Sequence, residues 1–150
     1  MTTILFYNWV ILFAVYSFIG WMCEVIYCSF LAKKFVNRGF LAGPYCPIYG
    51  FGAILLIIIL SPYASKIHNI IFLFVASTII TSILEYFTSW IMERMFNMRW
   101  WDYSHHRFQI NGRVCLLNST LFGIMGIVLF YIVQPLLTQI IYRLSPETRA

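Results

Sequence analysis

The chain has 150 residues, of which 61% are hydrophobic, 19% aromatic and only 10% charged, and its formal net charge at pH 7 is +5. A soluble domain carries roughly 25% charged residues, so this chain cannot cover a surface that faces water on every side. The basic residues lie in short stretches between apolar segments, a pattern that indicates membrane orientation and gives no reason to expect nucleic acid as a partner. We therefore predict an all-α, polytopic membrane protein that forms a single domain, 1–150.

Four apolar segments are candidates for membrane crossing, which needs roughly 20 consecutive apolar residues. The second is short and punctuated by glycine and proline, and Pro135 is expected to kink or end the fourth. The predicted helices cover residues 5–31, 44–60, 69–92 and 114–141. We expect a bundle of about four transmembrane helices joined by two aromatic-rich loops, residues 33–50 and 94–113.

The loop charges predict the orientation of the bundle. The loops after the first and third helices carry seven lysines and arginines, whereas the opposite side carries three. Because basic residues accumulate on the cytoplasmic side, both termini are expected outside and the two aromatic-rich loops in the cytoplasm. The seven are Lys33, Lys34, Arg38, Arg94, Arg99, Arg107 and Arg113; the three are Lys66, Arg143 and Arg149.

Two acids, Glu24 and Glu85, interrupt the apolar segments. A carboxylate inside a membrane costs about 2.5–3.5 kcal/mol on insertion scales, so it usually faces the interior of a bundle. At 1.5 Å per residue, each acid lies roughly 10–13 Å below the predicted cytoplasmic end of its helix. Because the two depths match, we expect one shared site. The alternative is that both acids only hydrogen-bond the helices together.

Small and polar residues recur at three- and four-residue spacing around both acids and on the fourth helix. They predict an interior polar strip that opens to the cytoplasm, or close helix packing alone. The strip comprises Ser17, Gly20, Trp21 and Cys28 on the first helix, Thr78, Thr81, Ser82 and Ser89 on the third, and Asn118, Ser119, Gly123 and Gly126 on the fourth.

Further candidate binding residues lie in or beside the two loops. Arginine near a buried acid would form a charge-assisted pair, or it would hold a phosphate or carboxylate ligand. Together with Glu24 and Glu85, the candidate substrate- or ion-binding residues are Asn37, Arg38, Tyr49, Glu93, Asp102 and Arg113. No catalytic residue, cofactor or metal is assigned.

Other residues of the loops have simpler interpretations. His105 and His106 are adjacent and lack the spacing of metal ligands. The aromatic residues Trp100, Trp101 and Tyr103 are expected to anchor the loop at the membrane interface. The four cysteines show no metal-ligand spacing, and they are expected to be reduced thiols used for packing.

The sequence GPYCPIYG at 43–50 predicts an irregular entry into the short second helix. Irregular backbone at membrane depth is tolerated only where it is buried in protein or lines a cavity. Interrupted helices are also the best sequence indication of a transporter binding site. The alternative is a helix that simply begins with proline in its first turn.

Several motifs taken together resemble one family, the CmpB-like, type IV family of small bacterial membrane proteins described as ABC-transporter permeases. The resemblance extends from about residue 16 to residue 126, and it implies a multi-span protein of the bacterial cytoplasmic membrane. The motifs are FIGWMCE at 18–24, NRGFL at 37–41, GPYCPIYG at 43–50, EY at 85–86, Glu93, WDY at 101–103 and NGR at 111–113.

The leading functional hypothesis is a transport-related, permease-like subunit. Four spans enclose little volume, so a homo-oligomer or a partner is expected. The sequence has no GxxxxGK[ST] phosphate loop, so ATP hydrolysis would come from a separate ATPase subunit. Membrane lipids are the other expected partners. Two alternatives stay open: an intramembrane enzyme acting on a lipid or phosphorylated amphipathic substrate, for which no catalytic motif is recognised, and a membrane assembly protein.

Overall fold

The structure, a computed structural model, describes residues 2–39, 43–63 and 68–144. Four helical segments dominate it, and two very short strands precede the last of them. The elements are α1 (Thr2–Ala32), α2 (Pro47–Leu60) with a 3₁₀ turn (Ser61–Tyr63), α3 (Ile70–Phe96), β1 (Gln109–Ile110), β2 (Val114–Cys115), α4 (Leu116–Val128), a π-helical turn (Leu129–Val133) and α5 (Gln134–Leu144).

The all-α membrane fold is confirmed, and three helical segments are long and apolar enough to cross a membrane. These segments are Asn8–Ala32, Ile70–Phe96 and Leu116–Ile140, each with a mean hydropathy near 2. The helix α2 is apolar but has only 14 residues, which is about 21 Å at 1.5 Å per residue. It is therefore too short to cross a hydrocarbon layer of about 30 Å by itself.

The observed helix ends differ from the predicted ones where the chain has a local reason to begin or end. The second helix begins at Pro47, three residues later than predicted, after two bends. The third begins after Asn69, whose side chain accepts hydrogen bonds from two backbone N–H groups, and it continues to Phe96. There Asn97 adopts a left-handed conformation that ends the helix.

The fourth helical segment differs from the prediction at both ends. The predicted first residue, Val114, belongs instead to a strand that pairs antiparallel with Gln109–Ile110. Pro135 does not end the helix, which continues to Leu144. The chain widens into a π-helical turn just before the proline, with the Gln134 N–H bonded to the Leu129 carbonyl. This wider turn accommodates a residue that has no N–H to donate.

Contacts divide the chain into two compact units, Met1–Ile58 and Ile59–Ala150. The single domain stays a prediction. In the first unit, α2 begins beside the middle of α1. The Cys46 N–H donates to the Ser17 carbonyl at 2.9 Å, and a side chain at Gly20 would overlap the ring of Tyr49. Gly20 is the middle residue of the Asn8–Ala32 segment.

The second unit is held together by close packing of α3 against α4. Gly126 lies against Ser77, which is completely buried, and Gly123 lies against Thr78 and Phe74. The Ser82 hydroxyl donates to that of Ser119 at 2.8 Å. Small residues at these positions let the two backbones approach closely, as membrane helices require when lipid gives no hydrophobic drive for association.

We predict that Gly126→Ala destabilises the second unit. The added Cβ would overlap the Ser77 hydroxyl and Cβ, and overpacking of this kind costs typically about 1–3 kcal/mol. That penalty exceeds the gain of up to about 1 kcal/mol in helix propensity. The measurement is the midpoint of thermal unfolding in detergent, followed by tryptophan fluorescence.

The matched control is Ile124→Ala, because Ile124 is on the same helix and half of its surface is exposed. It should change the midpoint less than Gly126→Ala does. Adding Ser77→Gly to Gly126→Ala should recover part of the loss. An unchanged midpoint for Gly126→Ala would contradict the packing described here.

Candidate functional site

In the first unit, Glu24 lies at the centre of a polar cluster that we call the Glu24 cluster (Glu24, Cys28, Arg38 and Tyr49). The Tyr49 hydroxyl donates to one carboxylate oxygen at 2.5 Å. The Cys28 thiol donates to the other at 3.5 Å. The Arg38 guanidinium donates to the Cys28 sulfur at 3.3 Å, so the arginine is linked to the acid through the thiol.

The residues that follow α1 bring Arg38 to this cluster by running back along the helix. The Val36 N–H donates to the Ser29 hydroxyl at 2.9 Å. Asn37 then accepts from the Trp21 indole N–H at 2.8 Å. Its oxygen also accepts from the Gly39 N–H at 2.9 Å, which fixes a tight turn. Irregular backbone therefore lies beside the membrane-spanning part of α1 and not beyond its end.

In the second unit, Glu85 is buried with 3% of its surface exposed. The Tyr103 hydroxyl donates to its carboxylate at 3.0 Å, and the Asn118 amide donates in turn to the Tyr103 oxygen. The three residues come from α3, the loop and α4, so the hydrogen-bonded chain joins all three segments. We call these residues the Glu85 cluster (Glu85, Tyr103 and Asn118).

Nearer the end of α3, Arg113 forms a second anchor for the loop. This arginine is 8% exposed; it pairs with Glu93 and donates to the Ser89 hydroxyl at 3.2 Å. Its guanidinium also lies 5.8 Å from the centre of the Tyr86 ring. The other Glu93 oxygen accepts from Arg99 at 2.9 Å, so one carboxylate holds both ends of the loop.

The loop that carries Tyr103 is folded by its own backbone. The Tyr103 N–H donates to the Gly112 carbonyl at 2.8 Å, and the Trp101 indole donates to the Arg113 carbonyl at 2.9 Å. Asn111 and Gly112 have positive φ angles of 52° and 68°, which form the turn between the two strands. A side chain at Gly112 would also meet the Asp102 carboxylate, so glycine is required there.

Asp102 stabilises the first turn of the same loop and does not belong to the Glu85 cluster. Its carboxylate accepts hydrogen bonds from the backbone N–H and the hydroxyl of Ser104, at 2.9 and 3.0 Å. These bonds, the backbone one first, hold the pKa of Asp102 below its ordinary value of 3.8. Arg99 lies 3.8 Å away and acts in the same direction.

The candidate residues predicted from the sequence thus fall into separate clusters. Glu24 and Glu85 belong to different units, so their shared site stays a prediction. Asn37, Arg38 and Tyr49 lie around Glu24. The other three (Glu93, Asp102 and Arg113) belong to the loop anchor and the loop turn of the second unit.

Sequence reasoning missed the role of Tyr103. It was expected to be an interfacial anchor, but its hydroxyl bonds to a buried acid. The motif WDY at 101–103 does not show that Tyr103 reaches α3, because this contact depends on the fold of the loop. The spacing on the fourth helix predicts that Asn118 belongs to the polar strip, and it does not indicate that Tyr103 is its partner.

The histidines, cysteines and acids in the described part of the chain are also possible metal ligands. No group of three or more His, Cys, Asp or Glu residues is close enough together there to hold a metal ion. The His105 and His106 rings contact each other, with centroids 4.6 Å apart. All four cysteines are free thiols, and Cys46 and Cys115 are buried.

The fold and these clusters define an all-α membrane protein with two acids on its membrane-spanning helices, each hydrogen-bonded by a tyrosine. The chain belongs to the family described as "Putative ABC-transporter type IV", whose match covers residues 11–150. This confirms the resemblance read from the motifs. No curated protein and no solved structure matches the chain.

We predict that Arg113→Lys loosens the loop of the second unit. Lysine keeps the charge but cannot bond to Glu93 and Ser89 together as the planar guanidinium does. Losing one charge-assisted hydrogen bond costs about 1.5–3 kcal/mol. The midpoint of thermal unfolding should fall, and protease should cut within residues 97–115 more rapidly.

The control for this variant is Arg94→Lys. Arg94 is exposed and its guanidinium lies 5.7 Å from the Trp90 ring, a contact worth about 0.5–1 kcal/mol at an exposed site. Equal losses for the two variants would contradict the anchoring role of Arg113.

Asp102 predicts a pH dependence. Because its folded pKa is lowered, its ionised form stabilises the loop above the ordinary pKa, and this contribution disappears as the pH falls through the lowered value. Asn at this position can accept a hydrogen bond but cannot titrate. The wild-type protein should therefore be more stable than Asp102→Asn at pH 7, and the difference should shrink below about pH 4. Thermal unfolding of both proteins from pH 7 to pH 3 measures this, and a difference that grows on acidification would refute it.

Proposed function

We propose that this chain is the membrane-embedded, permease-like subunit of an ABC-type transport system in the bacterial cytoplasmic membrane. Its carboxylates Glu24 and Glu85 would bind or relay a proton or another cation. Nucleotide hydrolysis would be supplied by a separate ATPase subunit, and a homo-oligomer would complete the transport path. The two termini would lie outside and the loops that carry Arg38 and Arg113 in the cytoplasm.

The observation that carries this proposal is the pairing of each membrane acid with a tyrosine hydroxyl, Tyr49 for Glu24 and Tyr103 for Glu85. A phenol hydroxyl donates to an ionised carboxylate and accepts from a protonated one. Both protonation states of the acid can therefore be hydrogen-bonded at the same place. Asn or Ser would join the helices at a lower cost in a membrane, so the presence of an acid at both positions favours a role for its charge.

The segment that returns along α1 supports a water-filled path. Asn37 and Arg38 are exposed. They nevertheless form hydrogen bonds with Trp21 and Cys28, which belong to a membrane-spanning helix. Irregular polar backbone at this depth must face water or another protein, because lipid cannot satisfy its hydrogen-bonding groups. Either a cavity in the assembly or a neighbouring subunit would cover it, and both fit a transport subunit.

The half-length helix α2 supports the same proposal. It begins next to Ser17 and Gly20, half-way along α1, and it carries Tyr49 in its first turn. Discontinuous helices that begin near the middle of the membrane form substrate and ion sites in many transporters. Here the break places the tyrosine hydroxyl on the acid of α1.

The subunit assignment is tested by purifying the protein gently from its own membrane and recording native mass spectra. We expect a second polypeptide at fixed stoichiometry that is labelled by an azido-ATP probe. Release of the chain alone, or of a homo-oligomer without any nucleotide-binding polypeptide, would remove the ABC assignment. Stabilisation by Mg²⁺ that vanishes in Glu24→Gln would instead favour the intramembrane enzyme.

The role of the acids is tested on the same complex in liposomes that contain a pH-sensitive dye. Glu24→Gln and Glu85→Gln should each reduce ATP-driven proton movement at least about tenfold. This is the factor that corresponds to the loss of about 1.4 kcal/mol of binding free energy. Tyr49→Phe and Tyr103→Phe should reduce it less.

Tyr27→Phe is the control, because Tyr27 is exposed on α1 outside the Glu24 cluster. All variants should assemble and unfold at temperatures close to that of the wild type. Proton movement at the wild-type rate in both glutamine variants would exclude the proposed role of the acids, whether or not an ATPase is present.

A further inference from the structure

An open apolar groove of about 410 Å³ lies at the start of α4. Three of its lining residues, Leu116, Leu117 and Thr120, belong to the first two turns of that helix. The loop contributes the other three, His106, Arg107 and Phe108. Neither the Glu24 cluster nor the Glu85 cluster contributes to this surface.

We expect the groove to lie where the hydrocarbon layer meets the headgroups. The membrane-spanning segment Leu116–Ile140 begins at its wall. Phe108 is 62% exposed and Leu116 59% exposed. Apolar side chains exposed at this level are in contact with the upper part of the acyl chains, whereas basic residues there face the phosphates.

Arg107 gives the groove a positive charge that no carboxylate of the described residues neutralises. The neighbouring arginines Arg99 and Arg113 both pair with Glu93. In residues 2–39, 43–63 and 68–144, no carboxylate lies within ion-pair distance of Arg107. Its guanidinium lies instead 5.4 Å from the Phe108 ring, on the wall of the groove.

From this combination we propose that the groove binds one anionic phospholipid. The phosphate would pair with Arg107, and the beginning of one acyl chain would lie along Phe108, Leu116 and Leu117. The apolar walls would contact the acyl chain. The Arg107 guanidinium, which has no carboxylate partner among the described residues, would pair with the negative headgroup. A zwitterionic lipid would fill the same walls, and its phosphate could also approach Arg107, but its positive ammonium group would weaken the net attraction.

The test is native mass spectrometry of the complete protein in mild detergent, with phosphatidylglycerol or phosphatidylcholine of the same acyl chains added. The wild type should retain one phosphatidylglycerol per chain and about fivefold less phosphatidylcholine, the ratio expected when one basic residue contacts an anionic headgroup. Arg107→Gln should lower the retention of phosphatidylglycerol to that of phosphatidylcholine.

Arg94→Gln is the matched control. Arg94 is also an arginine without an acidic partner among the described residues, but it lies over Trp90 and does not line the groove. It should retain phosphatidylglycerol as the wild type does. An equal loss in both variants would indicate a diffuse surface attraction and would overturn the proposal.

Leu117→Gln tests the wall of the groove without changing any charge. It should reduce the retention of both lipids, and its unfolding temperature in lipid-free detergent shows whether the fold is kept. Unchanged retention in a folded Leu117→Gln protein would overturn the proposed acyl-chain site. Equal retention of the two lipids by the wild type would overturn the proposed anionic specificity, even if Arg107→Gln failed to fold.

Discussion

The cost of placing a carboxylate within a membrane governs much of this structure. About 2.5–3.5 kcal/mol is needed for each acid on insertion scales, and each of the two acids is met by a hydroxyl from a different part of its unit. For Glu24 the chain turns back along α1 and begins a helix half-way down. For Glu85 it folds a loop of about twenty residues over the ends of two helices. Both irregular segments thus have the same physical task.

Two glycines allow the tyrosines to reach the acids. On α1, Gly20 leaves space for the ring of Tyr49. In the loop, Gly112 adopts the left-handed conformation of the turn that brings the chain back to Tyr103. In the α3–α4 packing, Gly123 and Gly126 leave space for Thr78 and Ser77. These two glycines therefore serve packing within the chain.

Sequence reasoning predicted the helices well because a membrane span leaves a long apolar signal. Residue type alone also predicted the close packing at the small residues and the irregular start of α2. The contacts of the loops were not predictable in this way. Tyr103 reaches Glu85 only because the Asn111–Gly112 turn reverses the chain, and the indole of Trp101 reaches the Arg113 carbonyl across the same turn. The pairing of Glu93 with Arg99 and Arg113 depends on the same loop fold, which a charge count cannot supply.

The π-helical turn before Pro135 has a consequence for the rotational phase of the last helix. A π turn contains one residue more than an α turn, so the side chains beyond it are rotated by about 100° around the axis relative to an uninterrupted helix. The face that α4 presents to α3 is thereby not continued along α5. The hydroxyl of Tyr131, within the turn, donates to the His68 carbonyl at 3.0 Å, which fixes this change of phase against the start of α3. One extra residue thus lets two halves of a single membrane segment present different faces, and the choice of face for α5 is independent of the glycine packing of α4.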